Sequence, residues 1–330
     1  MVFPRGDAVA VANPTPTPPR RGEGLSIPGG KSPSPRRPGT LWVAVGEGIV
    51  PPRTPDQGHT LLRCATCNLL RLHPQPTDTE LAAAYSDTYA PHTRPGLSGK
   101  AKGWLERRSV RQLWRLLGPP RRVLDVGCAT GDLLLSIRRE GNANVTGVEP
   151  GQRAAEVARS RGLDVRVGML EDAAFPDASF DTIILSHTLE HVRDPIATLL
   201  EIHRVLAPNG ALILWLPNAS SIEACVLGQR WIGYDPPRHL TTFSVTTLTR
   251  ALETTGFRVS QVHHEAVGLE WAWAFRSWLR DRAPNAERAV APLHPLLIVA
   301  ATPLAAIGAI TKRSGRIRVI GMRDEESLSS

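Results

Sequence analysis

The segment Val123-Leu-Asp-Val-Gly-Cys-Ala-Thr-Gly-Asp132 constrains this 330-residue chain more than any other. An apolar run ends on an aspartate, two glycines bracket a tight turn, and a helical pattern follows at once. Glycine adopts left-handed backbone angles freely and lets a ligand come close to the main chain. The helix that follows offers unpaired N–H groups at the positive end of its dipole. A strand, glycine turn and helix in this order open a nucleotide-binding parallel sheet. The dinucleotide fingerprint requires the spacing G-x-G-x-x-G. Counted from Gly127, the chain supplies Gly127, Ala129 and Asp132. An acid in the third place opposes a diphosphate, and Asp125 adds a carboxylate at the strand end. The turn therefore suits a ligand with a cationic end.

The residues around this turn alternate strand and helix signals, as in a parallel sheet covered on both faces. A strand at 122–126 leads to a helix through DLLLSIRREG, ending at Gly141. The second strand ends at Glu149, followed by a helix that Gly162 stops. DVRVG and FDTIILSH read as the third and fourth strands, the latter entering one helix through LEHVRDPIATLLEIHRVL. A Pro-Asn-Gly turn at 208–210 precedes a fifth strand, ALILWLP. A helix closed by Gly256 precedes a sixth, FRVSQVHH. The expectation is an α/β, doubly wound domain over 105–265. Glu149, at a strand's carboxyl end, is placed to accept both hydroxyls of a ribose.

Four segments are expected: a tail at 1–40, a small module at 41–104, the α/β domain, and an aromatic and apolar segment at 266–330. The tail holds nine prolines and half of the formal net charge of +8, and is expected to be disordered. Its basic residues attract polyanions without specifying one. No basic stripe interleaved with aromatics supports a nucleic-acid partner. Four cysteines, Cys64, Cys67, Cys128 and Cys225, do not make a disulfide scaffold. No secretory leader is visible, so the expected location is cytoplasmic.

These residues resemble the class I S-adenosylmethionine-dependent methyltransferases, and most closely the group acting on small molecules and lipid intermediates that carries L-D-x-G-C-G-x-G. The chain reads Leu124-Asp125-Val126-Gly127-Cys128-Ala129-Thr130-Gly131, with Ala129 at the middle glycine. The likeness spans 60–262. It continues through F-P-D-A-S-F-D at 175–181, L-E-H-V-R-D-P at 189–195, R-V-L-A-P-N-G-A-L at 204–212 and Y-D-P-P-R-H-L-T-T-F-S at 234–244. The resemblance implies a seven-stranded Rossmann-like sheet whose last strand, at 315–322, is antiparallel. It implies S-adenosyl-L-methionine as cofactor, held by Asp125, Gly127, Cys128, Ala129, Gly131 and Glu149. Leu170 and Glu171 would lie beside the adenine, and Ser186 would close the strand end. It also implies an N-terminal zinc-ribbon-like module, carried by Cys64-Ala-Thr-Cys67, Pro74-Gln-Pro-Thr77, Tyr85 and Tyr89. No cysteine precedes Cys64 to complete a four-ligand site, so the ribbon reads as degenerate and held by packing.

Methyl transfer needs in-line positioning, plus a base when the acceptor atom carries a proton. His187 and His191, four apart on the expected helix, and His239 in the Pro-Pro loop are the candidate catalytic residues. Trp231, Tyr234 and Arg238 are candidate substrate residues, for stacking or for an anionic group. The H-x-x-x-H spacing at 187–191 lacks the H-E-x-x-H order, so no metal is assigned there. Residues 289–310 hold no Asp, Glu, Lys or Arg and follow LEWAWAFRSWLRDR. They fit either a cap packed on the domain or contact with a membrane through 269–310. The expected activity is methyl transfer to oxygen or carbon of a small-molecule or lipid-linked acceptor. An NAD-dependent oxidoreductase or epimerase and a non-catalytic scaffold are the alternatives.

Overall fold

The computed structural model describes residues 42–44, 58–85, 97–141 and 143–324, so the expected tail lies outside the described residues. The elements run β1 (Trp42–Ala44), β2 (Thr60–Cys64), β3 (Leu70–His73), α1 (Asp78–Ala84), α2 (Leu97–Leu117), β4 (Arg122–Val126), α3 (Asp132–Gly141), β5 (Asn144–Glu149), α4 (Gln152–Ser160), β6 (Asp164–Val167), β7 (Phe180–Ser186), α5 (Pro195–Val205), β8 (Leu206–Pro217), α6 (Ile222–Leu227), β9 (Thr241–Thr242), α7 (Val245–Thr254), β10 (Phe257–Glu265), α8 (Leu269–Arg282), α9 (Pro284–Val290), α10 (His294–Ile310) and β11 (Arg316–Arg323).

Seven strands form the main sheet in the order β10-β11-β8-β7-β4-β5-β6. β11 runs antiparallel to both neighbours, and the pairs among β8, β7, β4, β5 and β6 are parallel. This is the doubly wound sheet with an antiparallel last strand expected from the sequence. Its central strands β4, β7 and β8 are apolar on both faces because helices cover both. Leu124, Val126, Ile183, Leu185, Leu212 and Leu214 pack towards α5 and α7. Val123, Ile184, Ile213 and Ile320 pack with Val110, Leu113 and Trp114 of α2 and Ile137 of α3. α2 crosses residue 104, where the sequence reading divided module from domain.

The single helix expected from Leu189 onward is two pieces. Leu189–His191 is one 3₁₀ turn, and α5 begins only at Pro195. Proline lacks an N–H and disfavours helical angles in the residue before it, so it sits at a helix start. Asp194 caps that start, its Oδ1 accepting from the N–H groups of Ile196 (3.2 Å) and Ala197 (3.1 Å). The Pro-Asn-Gly turn lies within β8, where Phe180 pairs with Leu206 and Thr182 with Ala211. Asn209 takes a positive φ of 58° in that bulge.

The N-terminal module is a four-stranded sheet, β1-β2-β3-β9. Its fourth strand comes from the loop after Y-D-P-P-R-H-L, so that loop is stitched to the module through Arg71 and Leu70. Leu61, Leu70 and Leu72 pack there with Trp231, Tyr234 and Leu240. α8, α9 and α10 interrupt the β10–β11 connection. They leave from Glu265 and return at Arg316, which pair with each other, and Arg316 also pairs with Pro217 at the end of β8. These helices therefore stand at the carboxyl edge of the parallel strands.

Candidate active site

The glycine turn is built as its residue types require. Gly127 and Gly131 take φ of 78° and 81°. The N–H groups of Gly127 and Cys128 both donate to Val148 O, at 2.8 and 3.1 Å, which ties the turn to β5. Ala129 also has a positive φ, 46°, so the missing middle glycine is accommodated at some backbone strain. Its N–H donates to Glu149 Oε2 at 2.9 Å, while Gly151 N–H donates to Oε1 at 2.8 Å. Burial raises the Glu149 carboxyl above the ordinary range, and these two N–H groups work against that rise. Asp125 is buried at the neighbouring strand end. Burial, with the carboxylates of Asp125 and Glu149, pushes the Cys128 thiol up, so it stays protonated and packs against Gly147.

Asp132 pairs with Arg161 at 2.7 Å. Its charge is thus partly neutralised, and Asp125 and Glu149 carry the case for a cationic nucleoside better than Asp132 does. Leu170 is a core residue, so only its backbone can meet a ligand. Glu171 is exposed and accepts from Thr198 Oγ1 at 2.6 Å. Ser186 ends β7 beside Trp215 of β8.

Beyond Ser186 the chain turns sharply. His187 has a φ of 56°, a left-handed angle in place of the helical one expected. His187 and His191 therefore do not share a helix face. Thr188 Oγ1 donates to Val126 O at 2.9 Å, and a Cβ on Gly127 would lie 2.5 Å from that hydroxyl. The His187–His191 turn is thus packed directly on the glycine turn. His187 Nδ1 lies 3.2 Å from Glu190 Oε1, and the His187 side chain is 35% exposed. Glu190 is buried. Burial acts to raise its carboxyl, but the His187 hydrogen bond and the charges of His187, His191 and His239 hold it down at about 2.

His191 and His239 meet edge to face, ring centroids 4.6 Å apart. His191 Nδ1 lies 3.0 Å from Arg238 O and 2.8 Å from Tyr85 Oη. His239 Nδ1 lies 2.8 Å from Gly233 O. A carbonyl oxygen only accepts, so both rings carry the proton on Nδ1 and a lone pair on Nε2. Burial, then the neighbouring His239, lowers the His191 pKa to about 4.

The three candidate substrate residues belong to the loop that carries His239, and Arg238 O meets His191 Nδ1. Trp231 and Tyr234 are buried and pack edge to face in the core between loop and module, so neither offers an open stacking surface. Arg238 donates to both oxygens of Asp235, from Nε at 2.9 Å to Oδ2 and from Nη2 at 2.7 Å to Oδ1. That guanidinium anchors its own loop. The site residues that sequence reasoning underweighted are Thr188, Glu190 and Tyr85. Glu190 sits between two histidines in sequence, and Tyr85 lies 106 positions from its partner His191. Only the loop's tertiary fold brings Tyr85 there.

Cys64 is buried and Cys67 half-buried, both as free thiols. They flank the hairpin turn in which Asn68 N–H donates to Cys64 O at 2.9 Å. Among the described residues, Glu190, His191 and His239 form a group of three side chains whose potential ligand atoms lie within 4.8 Å of one another.

Residues 101–262 match a family described as "Methyltransferase domain". The chain is 39% identical over 126 residues to the ubiquinone biosynthesis O-methyltransferase of Xanthomonas oryzae pv. oryzae (strain PXO99A), covering 36% of this chain and 52% of that protein. It is 31% identical over 178 residues to a protein of Mycolicibacterium smegmatis named "Probable S-adenosylmethionine-dependent methyltransferase", covering 51% and 63%. The chain thus spans about half the length of the ubiquinone enzymes it matches. A solved S-adenosylmethionine-dependent methyltransferase from Archaeoglobus fulgidus superposes at a TM-score of 0.46 with 18% identity, over 67% of this chain and 94% of that one.

Proposed function

We propose that this chain, whose residues 101–262 match a methyltransferase domain, is a class I S-adenosylmethionine-dependent methyltransferase that methylates a hydroxyl oxygen on a small-molecule or lipid-linked acceptor. The observation that carries the proposal is the packing of Thr188 on Gly127. It holds His187 one residue from the turn that receives the nucleoside, at the sheet edge where α/β ligands bind.

The residues fit the cofactor. Side chains are absent at Gly127 and Gly131, where the backbone must be approached. Glu149 presents a carboxylate already fixed by two N–H groups, with lone pairs left for ribose hydroxyls. Asp125, Cys128 and Ala129 complete the wall. When bound, S-adenosylmethionine would supply an electrophilic methyl group on its sulfonium sulfur, with a neutral thioether as the leaving group. The chain's part would be to hold the acceptor oxygen in line with that methyl group and to exclude water. His187 takes the hydroxyl proton on Nε2. Its Nδ1–H is held by Glu190, whose depressed pKa keeps it ionised to balance the imidazolium. His191 and His239 lie beside this pair, their ring centroids 4.6 Å apart. The NAD-dependent alternative would set a diphosphate at the glycine turn beside the buried Asp125, a repulsive arrangement, whereas Glu149 would meet a ribose in either reading.

A lipid-linked acceptor is favoured by α10, which buries only Ala305 and Gly308 along its length. Leu296, Val299 and Ile310 are 66%, 69% and 82% exposed. Phe275 and Trp278 extend the apolar face, and Arg282 stacks on Trp278. The same helices stand at the carboxyl edge, where a membrane-borne acceptor would enter. The test is incubation with labelled methyl donor and cell extract, followed by separation of aqueous and lipid fractions. Label in an alkali-stable ether of a lipid-soluble product is expected. Label on nitrogen or carbon, or no turnover by a protein that binds S-adenosylhomocysteine, would overturn the oxygen assignment or the catalytic reading respectively.

A further inference from the structure

We propose that Glu190, His191 and His239 bind a divalent transition-metal ion of the zinc kind at the mouth of the acceptor crevice. The donor atoms of the three side chains lie within 4.8 Å of one another. Ligands about 2.0–2.2 Å from zinc stand roughly 3.4 Å apart, so a small ring rotation closes the set.

Two imidazoles and one carboxylate are a recurrent donor set for catalytic zinc, and for first-row ions generally. Each ring is prepared for that role by its other nitrogen, which a backbone carbonyl holds, Arg238 O for His191 and Gly233 O for His239. A metal-bound histidine is held in just this way by an acceptor on its far nitrogen. Both carbonyls belong to the 233–239 loop, which the Arg238–Asp235 pair and β9 fix in place. Glu190 supplies an independent sign. Its Oε1 is engaged by His187, but its buried Oε2 has no hydrogen-bond partner among the described residues. An unpartnered carboxylate oxygen in a buried site is costly.

Three potential ligand atoms therefore lie close together, one carboxylate oxygen and two imidazole nitrogens, and the Glu190 Oε2 among these side chains is buried without a hydrogen-bond partner. A water molecule offers two protons and leaves the third of these atoms unmet. One cation satisfies all three and offsets the buried negative charge. The ligands leave further coordination positions open, as in catalytic rather than structural sites. An acceptor hydroxyl placed there would lose its proton more readily, which would assist His187. That last step rests on the methyl-transfer reading; metal binding itself does not.

The experiment uses the full chain, stripped with chelator and titrated with zinc and with cobalt(II). S-adenosylhomocysteine binding is measured on the same samples. One equivalent of metal is expected in Cys64→Ser/Cys67→Ser protein, with visible cobalt d–d absorption and no thiolate charge-transfer band. Glu190→Gln and His239→Gln should each weaken binding by roughly 100-fold or more, while His263→Ala leaves it intact. Should a variant fail to fold, the cobalt spectrum of the Cys64→Ser/Cys67→Ser protein still reports whether nitrogen and oxygen ligands are used. Metal uptake that needs the cysteines, or no uptake by protein that binds S-adenosylhomocysteine, overturns the inference and leaves methyl transfer standing. Failure to bind S-adenosylhomocysteine counts against the methyltransferase reading instead.

Discussion

Glu149 offers the sharpest test of the cofactor site, because its carboxylate has two separable tasks. It fixes the glycine turn by accepting from Ala129 and Gly151, and it is proposed to accept both ribose hydroxyls. Hydrogen bonds to a charged group contribute about 1.5–3 kcal/mol each. Losing two in Glu149→Ala removes about 3–6 kcal/mol, a 10²- to 10⁴-fold rise in the Kd for S-adenosylhomocysteine. Water can enter the partly open site, so the lower end is expected. Glu149→Gln keeps one acceptor oxygen but turns its NH₂ towards either the Ala129 or the Gly151 N–H. It should weaken binding by roughly 10- to 100-fold and lower stability by about 1–3 kcal/mol. Titration calorimetry reads the affinity and denaturant unfolding reads the stability. Burial raises the Glu149 carboxyl, so wild-type affinity should begin to fall at a pH above the ordinary glutamate range. A Kd within threefold of wild type for folded Glu149→Ala would refute the assignment.

Further outcomes follow from the same geometry. His191 titrates near 4 in the fold against an ordinary 6.5, so the unfolded chain binds the extra proton between those values. Its stabilisation is complete above pH 6.5 and is lost as pH falls towards 4, at most roughly 3 kcal/mol. Glu190, held at about 2, adds a loss only below its ordinary 4.5. In chelated buffer the melting temperature should drop from pH 7 to 4.5 in wild type and less in His191→Gln; equal drops would contradict this. Trp231→Ala should cost roughly 3–5 kcal/mol of stability while leaving S-adenosylhomocysteine affinity near wild type, since Trp231 is core; a stable variant with a raised acceptor KM would restore the stacking role. Replacing Leu296, Val299 and Ile310 together by serine should cut co-flotation with anionic phospholipid vesicles by at least about tenfold, with folding stability little changed. Equal flotation would remove the membrane contact.

The parallel sheet was legible because its signals are local. Gly127, Gly131, Gly162 and Gly256 all mark turns by positive φ. Central strands had to be apolar on both faces, and β4, β7 and β8 are. The antiparallel last strand was legible only through the family resemblance, since nothing local in Arg316–Arg323 specifies its partners. The error at Leu189–Val205 came from weighing apolar periodicity above Pro195. That misplaced His187 and His191 on one helix face and hid the turn that brings Glu190 beneath both. Trp231, Tyr234 and Arg238 read as a substrate surface because aromatic and basic residues in a loop are often exposed. Here the loop lends β9 to another sheet and buries Trp231 and Tyr234, while Arg238 is held by Asp235, through a tertiary pairing between residues about 170 positions apart. Tyr85 reaches His191 by the same pairing.

The central claim is that a cationic nucleoside lies across the glycine turn with its reacting end towards the His187–His191 segment. A crystal structure of the complex with S-adenosylhomocysteine tests it most directly. The ribose hydroxyls should fall within hydrogen-bond distance of Glu149, with the sulfur pointing to His187. Density for the ligand away from Gly127 and Glu149, or side chains occupying that cleft in the bound state, would contradict it.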